Sequence, residues 1–177
     1  MQQRRNVIAG LAAGIIGAIV AIVPTIPSIG FLLHPLLKKK QAGSVGGDGF
    51  VPVTTIEAVP TDGSPRSFPV QMDVQDAWNK FPNRQVGSVF LSKDGKGNLQ
   101  CFSCVCPHLG CTVNYEDKVK LYVCPCHASS FTLDGERKNQ IPPRSMDSLE
   151  VRVNDKGEVE VKYQTFRAGT SERKVVS

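Results

Sequence analysis

The chain has 177 residues, 41% of them hydrophobic, and a formal net charge of +5; this leaves room for one modest folded domain plus an appendage. All of the excess charge lies in residues 1–40, where Arg4, Arg5, Lys38, Lys39 and Lys40 meet no acid, while the remainder is balanced, so no basic face for nucleic acid is implied. The six cysteines all fall between positions 101 and 126, which marks a local site rather than a distributed disulfide framework.

Arg4-Arg5 precedes an almost unbroken apolar run over residues 7–23, and the hydrophobicity resumes at 29–33 after Pro24 and Pro27. As helix, the first run spans ~25 Å, short of a ~30 Å hydrocarbon core, and continuation through proline kinks to about Leu33 makes a sufficient span. A cleaved export signal is the rival reading. The length of the apolar stretch and the lack of a small-x-small site before Lys38 favour an uncleaved anchor. Residues 1–37 are therefore expected to be a twin-arginine leader and single-pass transmembrane anchor, with the N-terminus cytoplasmic. His34 is expected at the interface, and Lys38–Lys40 at lipid head groups. Residues 38–49, rich in glycine, form a flexible tether by composition.

From residue 50 the pattern turns to strands. Residues 51–56, 67–72 and 86–91 alternate, and Lys93-Asp-Gly-Lys-Gly97 is a turn signal. Residues 74–81 predict a short helix or surface excursion around a packed Trp78. Residues 99–103 form the strand entering the cysteine-rich region, with Cys101 and Cys104 as small buried fillers. Residues 119–123 are a further strand, residues 131–136 a strand and turn, and residues 149–153 and 159–163 a closing hairpin around Asn154-Asp-Lys-Gly157. Residues 167–177 are polar and expected to fray.

The chemistry sits in Cys106-Pro-His-Leu-Gly-Cys111 and Cys124-Pro-Cys-His-Ala-Ser-Ser130. Cys106 and His108 come from one tight loop, Cys124 and His127 from the other. Such a set could close a tetrahedral zinc site, or hold a [2Fe–2S] cluster with two histidines in place of two cysteines on one iron. The spare thiols Cys111 and Cys126 tell against a zinc finger, which has no use for them.

These segments resemble the two boxes of Rieske iron–sulfur proteins, in the disulfide-containing version found in the quinol–cytochrome c and quinol–plastocyanin reductases of the cytochrome bc1 and b6f type. The resemblance is strong over residues 85–153. It implies an all-β Rieske domain of antiparallel sheets over residues 50–166, with an inserted cluster-binding subdomain at about 101–144. It also implies one [2Fe–2S] cluster, the inner iron on Cys106 and Cys124 and the outer on His108 and His127. A Cys111–Cys126 disulfide would follow, worth ~3 kcal/mol by chain entropy, and with it an oxidising compartment.

The same resemblance puts Ser129 where a serine donates to a bridging sulfide, and Pro142 and Pro143 in a proline loop covering the cluster. Phe131 stands where high-potential members often carry a tyrosine, which implies a lowered potential suited to menaquinol. Ala128 replaces the usual glycine, and the proline loop lacks its leading glycine. The implied activity is that of an electron-transfer subunit in a proton-translocating reductase. It would take an electron and a proton from quinol at His108 or His127 and pass the electron to a c-type haem. The implied partners are a cytochrome b subunit, a c-type cytochrome and quinol, in a dimeric complex with the head on the outer face of a bacterial membrane.

Three rivals stand beside this reading. The small Rieske subunit of an arsenite-oxidase-like molybdoenzyme also carries the disulfide and a twin-arginine leader. A soluble Rieske ferredoxin lacks both the spare cysteine pair and the membrane segment, and a zinc-stabilised binding module would contain no iron.

Overall fold

The computed structural model describes residues 2–37, 48–76 and 78–176. Lys38–Lys40 and the glycine-rich run up to residue 47 lie outside the described residues, as does the side chain of His34.

The N-terminal element is a single helix, α1 (Gln2–Leu37), and its segment Gln3–Leu33 is long and apolar enough to cross a membrane. At 36 residues it extends ~54 Å and continues through Pro24 and Pro27, as the sequence reading expects. Pro24, Pro27 and Pro35 lie inside it, and each removes an N–H that a carbonyl four residues back would accept. Beside two of those carbonyls, hydroxyls add donors: Thr25 Oγ1 donates to the Ala21 carbonyl, and Ser28 Oγ to the Pro24 carbonyl at 2.7 Å.

The head contains nine strands among the described residues: β1 (Val51–Thr55), β2 (Arg66–Gln75), β3 (Lys80–Lys93), β4 (Leu99–Ser103), β5 (Asn114–Glu116), β6 (Leu121–Val123), β7 (Ser130–Phe131), β8 (Val151–Val153) and β9 (Glu158–Val161). They form three antiparallel three-stranded sheets, in the orders β1-β9-β8, β2-β3-β4 and β5-β6-β7. The chain thus leaves the first sheet after β1 and returns to it only with β8 and β9, and everything carrying the cysteines is inserted between.

Two cores follow from this topology. Val51, Val59, Val70, Val89, Leu91, Cys101, Leu149, Val159 and Val161 pack together in one. Phe90, Phe102, Cys104, Cys106, Val113, Tyr122, Cys124, Phe131 and Met146 make the other. Strands β3 and β4 are the shared wall: Val89 and Leu91 face the first core and Phe90 between them faces the second. That is why Val89-Phe90-Leu91 is continuously apolar rather than alternating. Tyr122 and Phe131, cross-strand partners on β6 and β7, have no exposed surface, and Phe131 contributes about 2–3 kcal/mol by burial. Gly135 has φ +77°, and a Cβ there would stand 2.6 Å from the Phe102 ring; only glycine fits between the second core and its covering turn.

Three local expectations are settled or corrected. Among the described residues of 74–81 the surface excursion forms and the helix does not. These residues close the β2–β3 hairpin in a turn where the Asp76 carboxylate accepts the Trp78 and Asn79 N–H groups at 2.7 and 2.6 Å, and Trp78 is 58% exposed. The strand expected from residue 119 begins at Leu121, because Lys120 takes a left-handed φ of +53° in the preceding turn.

Residues 167–176 are not frayed. Phe166 bridges to Val175, the Arg167 N–H donates to the Lys174 carbonyl at 2.9 Å, and the Val176 N–H donates to the Thr165 carbonyl at 2.9 Å. The head is also held one step before β1. Asp48 pairs with Arg152 at 2.6 Å, and the Arg152 guanidinium lies 4.0 Å over the Phe50 ring.

Candidate metal centre

The two cysteine-rich segments fold into loops of the same design. In the first, the Cys106 N–H donates to the Cys111 carbonyl at 2.7 Å; in the second, the Cys124 N–H donates to the Ser129 carbonyl at 2.8 Å. Each loop is six residues long, opens on a cysteine followed by proline, and turns through a left-handed residue at its fifth position. These residues are Gly110 (φ +82°) and Ala128 (φ +57°). Strand β4 and the Val105–Thr112 bridge deliver the first loop, while β6 and β7 flank the second. An L-residue in the left-handed region costs ~1–2 kcal/mol that glycine avoids. Ala128→Gly is therefore expected to stabilise the head by about 1 kcal/mol, raising the midpoint of thermal unfolding; an unchanged or lower midpoint would show that the alanine side chain is itself held by contacts.

The loop cysteines point inward and the histidines outward. Cys106 and Cys124 are 0% and 1% exposed, His108 is half-buried and His127 exposed. The two imidazoles lie edge to face with ring centroids 4.9 Å apart. Cys111 and Cys126 are joined in a disulfide, with their Cα atoms 6.6 Å apart, so the two loops are stapled beyond the buried thiols. The sulfurs of Cys111, Cys124 and Cys126 fall within 4.8 Å of one another, but two of these are bonded together and are not free to bind a metal. The other free thiols do not join the site: Cys101 lies in the first core, and Cys104 sits 3.6 Å from Ser67 Oγ. Burial pushes the Cys104 thiol up to about 11.

Burial also raises the Cys106 thiol, against smaller opposing contributions from the His108 backbone N–H and the Ser129 hydroxyl. The Ser129 hydroxyl is near enough to favour the Cys106 thiolate, yet it is wholly buried and no acceptor meets it at hydrogen-bond geometry. An orphaned buried donor of this kind costs free energy unless something accepts from it. The donor set fits a [2Fe–2S] cluster on both counts: two dry thiols beside two imidazoles, and a buried hydroxyl that a cluster sulfur would satisfy.

The proline loop also carries residues that the sequence reading did not single out. Pro142 is buried and Pro143 half-buried. Arg137 Nη1 donates to both their carbonyls at 3.4 Å, and Asn139 Nδ2 donates to the Ala128 carbonyl at 2.8 Å. Arg144 forms a two-point ion pair with Asp147, Nε to Oδ1 at 2.9 Å and Nη2 to Oδ2 at 2.8 Å. A basic residue three positions before an acid, directly after two prolines, was the only signal in the sequence for that pair.

Fold and site together define a two-loop iron–sulfur protein with a membrane-length N-terminal helix. A model of the Rieske [2Fe-2S] domain matches residues 51–154, and the chain belongs to that family, whose cofactor is a [2Fe–2S] cluster. The chain is 30% identical over 144 residues to the menaquinol:cytochrome c reductase iron-sulfur subunit of Geobacillus thermodenitrificans, covering 79% of this chain and 80% of that one. It is 29% identical over the same shares to the subunit of that name from Bacillus subtilis. To the cytochrome b6-f complex iron-sulfur subunit of Chlorobaculum thiosulfatiphilum it is 28% identical, covering 85% of this chain and 71% of that one. The solved plasma membrane Rieske protein PetC3 of Synechocystis aligns with a TM-score of 0.45 at 23% identity, over 64% of this chain and 99% of that one.

Proposed function

We propose that this chain is the iron–sulfur subunit of a membrane quinol–cytochrome c reductase, and that it takes one electron and one proton from quinol and passes the electron to a c-type haem. The observation that carries the reading is the pair of imidazoles 4.9 Å apart at the outer edge of two buried thiols. Cys106 and Cys124 would hold the inner iron, and His108 and His127 the outer. When bound, the cluster supplies a one-electron redox centre.

The residues around it perform three tasks. Cys106, Cys124, Pro107 and Pro142, all buried, exclude water. Ser129 Oγ offers its hydrogen bond inward. The outward imidazole nitrogen of His108 or His127 accepts a hydrogen bond from the quinol hydroxyl and then its proton. The quinol site is completed by a cytochrome b subunit, and the complex is dimeric. The helix α1 anchors the chain in the cytoplasmic membrane, with Arg4-Arg5 directing export of the folded head and remaining inside. The disulfide supports an outward head, since such bonds persist in oxidising compartments.

Phe131 is fully buried in the second core, beside Cys106 and Cys124. It offers no hydroxyl to a thiolate sulfur, and the reduced cluster, being the more negative form, is the one such a donor favours. The potential is therefore low, in the range that menaquinol requires. Phe131→Tyr is expected to raise it by roughly 50 mV, the equivalent of one hydrogen bond of about 1 kcal/mol in a one-electron couple. A redox titration that finds the wild-type potential already typical of ubiquinol systems, or no rise in the variant, sinks this account.

The reading as a whole is tested by gentle detergent extraction of the tagged chain from its native membrane and a reduced-minus-oxidised visible spectrum of what copurifies. Haem b bands are expected. Bound molybdenum without haem would instead make the chain the small subunit of an arsenite-oxidase-like enzyme.

A further inference from the structure

Residues 165–176 lie beyond the matched family domain, and the mechanism above gives them no task. They form a narrow loop closed on itself by the Phe166–Val175 bridge, and its tip reaches the first cysteine loop. There the Gly169 N–H donates to the Pro107 carbonyl at 2.9 Å. Gly169 has φ +75°, and a Cβ on it would stand 3.6 Å from the His108 carbonyl oxygen. The Pro107 carbonyl belongs to the peptide plane that enters His108. That plane is rigid, so a bond to its oxygen restricts the direction in which the His108 side chain leaves the backbone.

The next residue of the tip is held from the other side. Arg144, one position after the two prolines of the covering loop, directs Nη1 to the Thr170 carbonyl at 2.6 Å while its remaining N–H groups grip Asp147. The two side chains of that ion pair are only 10% and 4% exposed. Asp147 is itself a fixed point, because its carbonyl accepts the Ser103 N–H of β4 at 2.8 Å, and Arg173 adds a second cation at 3.9 Å from Asp147 Oδ1. A planar guanidinium can serve a carboxylate and a carbonyl at once; an ammonium on a flexible stem cannot hold both in that geometry. The route from lid to first loop is therefore continuous: Pro143, Arg144, Thr170, Gly169, Pro107, His108. The second loop has its own clip, the Asn139 to Ala128 bond.

We propose that residues 165–176 are a strap through which Arg144 of the proline lid sets the orientation of His108, so that Arg144 and Gly169 are positioning residues of the redox centre. This rests on His108 being a ligand, as proposed above. It requires that disturbing the strap alters the cluster's electronic signature and not merely the stability of the head.

The experiment uses the full-length, cluster-loaded protein in detergent, as wild type, Arg144→Lys, Gly169→Ala and the double variant. Iron content serves as the loading control, and the readouts are the EPR spectrum and reduction equilibrium of the cluster together with amide exchange at Gly169. In Arg144→Lys, exchange at Gly169 is expected to quicken by about tenfold as the tip loosens. In each single variant the reduction equilibrium constant should move by roughly threefold with altered g values, a modest effect for an outer-shell change. The double variant should move no further than the larger single one, since both act through one strap.

Loaded variants with wild-type spectrum and equilibrium constant would reduce the strap to a stabilising clip and overturn the proposal, and additive shifts would overturn the coupling. Should Arg144→Lys fail to accumulate, Gly169→Ala alone decides by the same spectrum and equilibrium constant. A wild-type protein without a Rieske-type signal would instead refute the ligand reading on which the proposal stands.

Discussion

Cys124→Ser is expected to abolish cluster binding while leaving the head folded, so that iron falls from two atoms per chain to near none. The loop around it keeps its closing bond, because the Cys124 N–H to Ser129 carbonyl contact is made by backbone. The disulfide next to it also remains. What is lost is a thiolate for which a serine hydroxyl, protonated at neutral pH, is no substitute. Cys104→Ser is the matched control: an equally buried thiol two residues before Cys106, directed towards Ser67 and the second core. It is expected to keep its iron. Iron analysis and the visible spectrum of the two purified variants separate the outcomes, and a coloured Cys124→Ser protein would refute the ligand assignment.

Breaking the staple should cost nearly as much, by a different route. The Cys111–Cys126 bond closes a segment of sequence separation 15, for which chain entropy predicts ~3 kcal/mol of stabilisation. In a head of this size that corresponds to a fall of about 12 °C in the thermal midpoint of the double Cys→Ser variant. The two cysteine loops are otherwise held by separate neighbours, β4 and the strap for one, β6 and Asn139 for the other. The bond is thus the covalent cross-link between them, and without it the paired imidazoles lose part of their common frame. A midpoint within two or three degrees of wild type would mean that these flanking bonds suffice.

Much of this organisation was legible because it is written in local patterns. The two loops announce themselves by residue type at fixed spacing, and the spacing persists in the fold because each loop is closed by a bond between residues five apart. The closing hairpin of β8 and β9 was legible for the same reason: alternation and a turn signal act over a dozen residues. Residues 74–81 left a short helix and a surface excursion both open, and the Asp76 side chain, by closing a turn there, decides for the excursion. Ala128 could be seen to replace a glycine, but only the backbone shows that it occupies the left-handed conformation glycine would have filled at no cost.

By itself, then, the sequence determined the residue types of the centre, the apolar N-terminal run and the β character of the head, which depend on neighbours along the chain, while the pairing of Cys111 with Cys126 followed from the family resemblance. Only the tertiary structure decided that two cores share the wall of β3 and β4, that Ser129 is left as a buried donor without an acceptor, and that the polar C-terminal residues fold back onto the first loop. The physical reason is the same in each case. Arg144 and Thr170 are 26 positions apart, and Gly169 meets Pro107 through backbone atoms; bonds of that kind leave no trace in composition or periodicity, because any residue can supply a carbonyl and almost any an N–H.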